Sequence, residues 1–545
     1  MAVVSPPHAD GRYRLQSGRT AVSGGRLVLY CMAASAAQGG RHMTGVSRVI
    51  RRLAVCGAIA LLGLLFLLFA IGFVVNSHDE SLTPETLALL ATPSNPYKPE
   101  QNIYLALEGF DAPPDRSVLA AGQATVALYD RQFEAMLRSP PTASADLAKP
   151  NPQRLEFKGH IDFCRPLVSP CWGDLPSHKT ELETLLADNR ELYQRYLGLH
   201  RLQGYVETAR PSYNAPLQFV PGELRSLFLA DLSLRMQTGN AGQRHDALAD
   251  LQSDVQLWKR VLSGEGRFES KMVAVASLHA DYLVLADMIA DPGAELAVAL
   301  QDARDMVPFF EWDDWRIGNV FAAQSRAISS DWIRTGLMYS GEWESTQPWW
   351  RRLGHTLESH FFKFNATQNL VAQQMGRLIA VAQADPSQFH LAREVYEAWL
   401  RDNLDRFSVG TTYDPAVYVD VARDVFRRWM GHNLLSLPLT YNPAGKVLAA
   451  NSVAVGFDAY LLRAYDGAAL QRLAKLGYEI RRQHIDTSAI PAFLRQHPEW
   501  ATHPADGRPF LWSAGTGEIS IQTVAKQPAG RRFSIRVWQR SSSGS

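Results

Sequence analysis

The chain has 545 residues, 46% of them apolar and 20% charged, which is the composition of a folded protein and not of a disordered or fibrous one. Lys and Arg balance Asp and Glu to a formal net charge of +1, so no overall basic field points to nucleic acid as a partner.

Residues 1–42 are rich in Gly, Ala, Ser and Arg, lack helical or strand periodicity and read as a disordered extension. Met43 opens MTGVSRVIRR, a complete short basic flank (43–52), and is the expected true start. Leu53 to Val75 follows without a charge, every residue apolar or Gly. A helix of that length covers roughly 34 Å, enough for a hydrocarbon core of about 30 Å. Lipid satisfies no backbone group, so the segment is predicted to be a transmembrane helix, with the bilayer as its partner. Arg41, Arg48, Arg51 and Arg52 precede it, whereas Asp79, Glu80 and Glu85 follow, with no Lys or Arg before Lys98. Basic flanks stay cytoplasmic, which predicts an inside N-terminus and an exterior C-terminal region. A cleaved signal peptide is the alternative, although FVVNSHDE lacks an Ala-x-Ala cut site.

Residues 76–100 read as a linker with one helical piece, Pro84 to Leu90, running into Pro93, Pro96 and Pro99. Residues 101–487 form the expected helical exterior domain. Helices fit 102–107 and 118–137, with a Pro-Pro turn at 113–114 between them. A Pro-rich stretch, 139–178, contains Cys164 and Cys171, spaced C-x6-C in a compartment where disulfides persist. A bridge there would stabilise by roughly 2.5 kcal/mol on the chain-entropy estimate. A redox pair or metal site is the alternative, but redox pairs favour C-x-x-C and zinc needs further ligands, so no metal and no cofactor are expected. Trp172 is expected to pack this loop down.

From residue 180 helices dominate. Leu182, Leu185, Leu186, Leu192, Tyr193, Tyr196 and Leu197 keep one helical period, and further helices fit 222–237, 243–263, 267–290, 294–306, 313–337, 348–384, 387–404 and 414–431. A long segment, 445–482, offers breaks at Gly456, Gly467 or Gly477. The tail, 488–540, changes character. Strands fit 510–512, 518–524 and 533–538, and the preceding helix is the expected cover for so small a sheet. The predicted fold class is therefore mainly α: a transmembrane helix, a large irregular helical exterior domain and a small antiparallel β element.

Pro504, Gly507, Arg508, Pro509 and Trp512 make a Pro-x-x-Gly-Arg-Pro segment followed by a strand. With Gln101–Pro113 and Ser270–Leu278, it resembles stretches of an uncharacterised family of single-pass bacterial inner-membrane proteins. That resemblance implies a bitopic inner-membrane protein and attaches no activity to it. The tail also resembles pseudopilin C-terminal sheets, but the apolar segment lacks the Glu that such leaders carry.

No G-x-S-x-G, H-E-x-x-H or Walker A text occurs. His355 and His360 are five apart, about 140° around a helix, and cannot share an ion. The densest acid and aromatic cluster is Glu311-Trp-Asp313-Asp314-Trp315. Its carboxylates could act as general acid and base on a glycan stacked by the tryptophans. The plainer expectation places Asp313 and Asp314 in the first turn of the next helix, with the tryptophans in the core. His279 is expected to be a core histidine, and Trp349 the start of an amphipathic helix. The leading expectation is a non-catalytic envelope component that meets an unknown protein partner. The runner-up is an exterior cell-wall hydrolase using Glu311, Asp313 and Asp314.

Overall fold

A computed structural model describes residues 45–138, 154–212, 214–291, 293, 311–339, 349, 359–408, 429–431, 433, 436, 439–452, 457–525 and 533–537. Expectations for 1–42, 294–306 and most of 414–431 fall outside them.

Helix α1 runs from Gly45 to Val75, so the basic flank continues the apolar segment as one helix. Its stretch Ile50–Val75 is long and apolar enough to cross a membrane, and its large side chains, Phe66 and Val74 among them, stand exposed. A largely uncovered helix of this length and composition is one that lipid could surround.

The second unit begins at Asn76. Residues 76–91 are stitched into it. The Asp79 carboxylate accepts the N–H groups of Asn365 (2.8 Å) and Ala366 (3.0 Å), which open a helix at Phe364–Gln383. An acid at a helix N-terminus satisfies orphan donors and suits the dipole. Thr83 caps helix α2 (Pro84–Leu90), with Pro84 at its first position. The Asn369 amide oxygen accepts both the Thr83 N–H (3.0 Å) and the Thr86 hydroxyl (2.9 Å). Asn369→Ala removes the acceptor of the Thr83 N–H and one of two partners of the buried Thr86 hydroxyl, and denaturant unfolding is expected to show a loss of about 2 kcal/mol.

Helices α3 (Ile103–Glu108) and α4 (Val118–Arg138) cross closely. The long helical period expected after residue 180 resolves into two helices, α5 (Lys179–Asp188) and α6 (Arg190–Leu199). Asn189 separates them because its side chain is taken by the loop: it exchanges hydrogen bonds with the Lys158 N–H (2.7 Å) and C=O (2.9 Å). Helices α7 (Gly222–Thr238), α8 (Ala241–Ser263) and α9 (Phe268–Ala290) follow. An Asn240–Gln243 capping box starts α8.

Helix α9 is the axis of the domain. It is buried along nearly its whole length and around its circumference, where the sequence suggested a single apolar face. Around it pack α7, α8, α10 (Asn319–Tyr339) and a long C-terminal helix at Phe457–Arg482. The helix at Phe364–Gln383 is α11, followed by α12 (Phe389–Asn403) and α13 (Pro443–Ser452), so the long C-terminal one is α14. Gly467 and Gly477 lie inside α14 instead of breaking it. They are packing notches: a Cβ on Gly477 would sit 2.3 Å from Ile535 Cδ1, and one on Gly467 2.5 Å from Trp315 Cζ3.

After the short helices α15 (Ile490–Gln496) and α16 (Pro498–Ala501) comes an antiparallel sheet in the order β1 (Leu511–Ser513), β2 (Glu518–Ser520), β3 (Ser534–Arg536). Trp512, Ile519 and Ile535 lie in register across it, and Ile519 and Ile535 turn inward. The sheet is covered by α14, as its size requires, and also by α9.

Cys164 and Cys171 form a disulfide, with Cα atoms 4.5 Å apart. It closes a hairpin-like loop in which Arg165 pairs with Ser169. The Trp172 indole N–H donates to Asp291 (2.8 Å), fastening the loop to the end of α9. Cys164→Ala with Cys171→Ala is expected to lower stability by about 2.5 kcal/mol in a chemical-denaturation curve run without reductant.

Candidate functional site

The chemistry-bearing groups gather at the N-terminal end of α9. Residues 204–207 run extended between two neighbours. Gly204 C=O accepts the Ile103 N–H (2.8 Å), while the Glu207 N–H donates to Glu265 C=O (2.9 Å). Asn102 caps α3 through the Tyr104 N–H and also binds both backbone groups of Val206. Beside this segment opens a cleft of about 420 Å³, lined by Pro93, Val206, Glu207, Arg210, Glu265, Arg267 and Arg326 among others. Its size falls in the range of small-molecule sites.

The charges of the cleft are closed on one another. Glu207 accepts the Tyr205 hydroxyl (2.9 Å), the Ser270 hydroxyl (3.0 Å) and the Arg267 backbone N–H (2.9 Å) and Nε–H (2.8 Å). The remaining guanidinium nitrogens of Arg267 donate to the carbonyls of Ser212, Ala215 and Pro216. Burial works against this guanidinium, but Glu207 outweighs it and holds the group firmly charged. Arg326 pairs with Glu265 at 3.2 Å, and Arg210 pairs with Glu134. Lys271, fully buried next to Ser270, donates to the Val261 (2.7 Å) and Gly264 carbonyls, and its pKa is lowered to about 7 by burial. These contacts fix backbone geometry around the cleft.

Glu108, on α3, has its carboxyl raised to about 7 by burial and accepts the Gln218 N–H at 2.8 Å. A carboxyl with a raised folded pKa contributes stability fully below its unfolded value and loses it as pH rises through the folded one. Stability is therefore expected to fall between about pH 4.5 and 7, by up to about 3 kcal/mol. Glu108→Gln should flatten that part of the pH–stability profile.

A second cluster sits where α6, α7, α8 and α9 meet. Arg225 donates to Asp254 (2.7 Å), to the Tyr196 hydroxyl (2.7 Å) and to the Ser277 carbonyl (2.7 Å), and pairs with Asp281. Asp254 also accepts from Tyr196 (2.5 Å) and lies 3.1 Å from His200 Nε2. Both aspartates are wholly buried. Burial pushes Asp281 well up and overcomes Arg225, whereas Arg225 overcomes burial at Asp254 and holds it low. The guanidinium thus favours the ionised form of Asp254, while burial favours the protonated form of Asp281. The signal for this cluster was present in the sequence: charged residues in a helix as apolar as α9 are buried and must be paired.

Glu311 and Asp314 are not among the described residues that line the cleft, and the side chain of Asp313 lies outside the description. Glu311 is exposed, and Asp314 is ion-paired with Lys259 at 2.9 Å and accepts the Glu311 N–H. The acids do not occupy the first turn of a long helix, as expected: Trp312–Trp315 is a single 3-10 turn, and α10 starts only at Asn319. Trp315 is buried at 1% exposure, donating to the Gln471 side chain (2.7 Å) beside Tyr282. His279 is a buried histidine edge-on to Phe533, its pKa lowered to about 4 by burial. Its Nε2 has no hydrogen-bond partner, so it is a neutral core ring with one unsatisfied atom. Trp349 is 70% exposed, while His355 lies outside the described residues. Among the described residues no three His, Cys, Asp or Glu side chains are arranged to hold a metal ion.

The Pro-x-x-Gly-Arg-Pro segment has a structural role. His503 donates from Nε2 to Asp466 (3.0 Å) and accepts the Ala505 N–H at Nδ1 (3.1 Å). Asp466 also accepts the N–H groups of Val524 and Ala525. The segment is thereby clasped to α14. Comparison with family models, with curated proteins and with solved structures finds no match for the chain.

Proposed function

We propose that this is a single-pass protein of a bacterial inner membrane, with its N-terminus in the cytoplasm, whose helical exterior domain serves as a non-catalytic component of the envelope and meets a protein partner. The observation that carries this is the pairing of an uncovered apolar helix with a domain whose buried charges are spent on holding its own elements together. The disulfide supports an oxidising compartment for the domain, and Arg48, Arg51 and Arg52 ahead of the span support the orientation. Leu391 and Val395, one turn apart on α12, are exposed apolar side chains that a partner could cover. A cell-wall hydrolase would need Glu311 and Asp314 to converge on a substrate cavity, and the Asp314–Lys259 pair favours the non-catalytic account.

Crosslinking in intact cells, followed by purification through the span, tests the proposal. A stoichiometric envelope protein captured by the wild type, and lost in Leu391→Glu with Val395→Glu, is the expected result. Hydrolysis of purified cell-wall glycan or peptide, abolished by Asp314→Asn, would overturn it.

A further inference from the structure

Two cations share one aromatic ring near the start of the exterior domain. Phe407, buried in a 3-10 turn at Asp405–Phe407, packs against Trp429. The Arg406 guanidinium carbon lies 4.8 Å from its ring centroid and Lys446 Nζ 5.6 Å. An aromatic face attracts cations, yet two like charges beside one ring repel each other unless an anion stands between them. Among the described residues neither makes an ion pair; Arg406 is exposed and Lys446 half-buried. Burial and then the Arg406 charge lower the Lys446 pKa, and Glu80 opposes them only in part. A half-buried charge is ordinarily paired, so Lys446 beside Arg406 favours an anion as its partner.

The source of that anion follows from chain connectivity. Lys446 lies in the first turn of α13, one turn beyond Asn442. The Asn442 N–H donates to the Asn76 side chain at 2.7 Å, and Asn76 is the residue that follows Val75, the last of α1. Asn76 is thus joined covalently to the apolar helix and, through Asn442, to the helix that carries Lys446. The polar headgroup layer begins where the apolar span ends, so no soluble anion is as concentrated there as lipid phosphate.

We propose that Arg406 and Lys446, seated on Phe407, bind the phosphate-bearing headgroup of an anionic phospholipid. The proposal rests on α1 spanning the bilayer. Lipid binding at this site fixes how the exterior domain is presented and adds a composition-dependent grip to the anchor.

Fluorescent phosphatidylglycerol and, separately, fluorescent phosphatidylcholine are titrated into the full-length protein in neutral micelles. The wild type is expected to prefer phosphatidylglycerol. Arg406→Gln with Lys446→Gln should weaken that affinity about fivefold per charge, about 30-fold together, and leave phosphatidylcholine unchanged. Arg406→Lys with Lys446→Arg should keep the preference, which separates charge from folding. Equal affinity for the two lipids in the wild type, or a glutamine variant that keeps its preference, overturns the proposal. Competition by inorganic phosphate as strong as that by the lipid overturns the lipid source. Failure of the anchor itself shows separately, as release of the whole chain from membranes in an alkaline carbonate wash.

Discussion

Arg225→Met is expected to cost about 3–5 kcal/mol, whereas Asp281→Asn, a few ångströms away, should be close to neutral at pH 7. Removing Arg225 leaves the wholly buried Asp254 with His200 as its remaining charge partner, and it withdraws donors from Tyr196 and the Ser277 carbonyl. Burial holds the Asp281 pKa up and favours its protonated form, for which an uncharged amide is a close substitute. The pH dependence has opposite signs at the two carboxyls. The stabilisation that comes from Asp254 is present above its unfolded pKa and lost only as pH falls through its depressed folded value. Asp281 contributes fully below its unfolded pKa, and that contribution drains away as pH rises toward its raised one. Asp281→Asn should therefore flatten the slope of stability above about pH 4 without steepening acid unfolding. Urea unfolding of both variants across that range checks the assignment. A large loss in Asp281→Asn at pH 7 would mean that both aspartates are ionised.

Trp315→Ala is expected to cost about 3–5 kcal/mol, which separates a core tryptophan from one that stacks a sugar. Its ring fills the notch at Gly467, where even a Cβ would lie 2.5 Å from it, and its N–H is the partner of the Gln471 side chain. Truncation leaves a cavity and removes the indole donor to Gln471. An exposed stacking residue would instead lose ligand affinity with stability almost unchanged. Thermal unfolding of the variant distinguishes the two, with a fall of several degrees predicted by the packing.

Much of the architecture was legible because it depends on local pattern. The charge-free run at 53–75 marks an apolar helix, and Pro84–Leu90 and Val118–Arg138 carry their own start signals or sustained periodicity. The failures lie where a distant group decides. The period through Leu182 and Tyr196 gives no hint of the break at Asn189, because the Lys158 backbone makes it. The acids of the Glu311–Trp315 cluster look like a helix start until Lys259 claims Asp314. Residues 76–91 look like a tether because Asp79 and Thr83 find their partners almost 290 positions later. Arg225, Asp254 and Asp281 are separated too widely for any motif, and so are Arg406 and Lys446. The sequence marks such residues only as charges in apolar surroundings and does not say which of them meet.

The central claim is that α1 spans a membrane and delivers the domain to its far side. The most direct measurement is a pair of fusions at the C-terminus of the full-length chain in bacterial cells, one to alkaline phosphatase and one to green fluorescent protein. The account predicts an active phosphatase and a dark fluorescent protein, both retained in the membrane fraction. A bright fluorescent protein with an inactive phosphatase would contradict it.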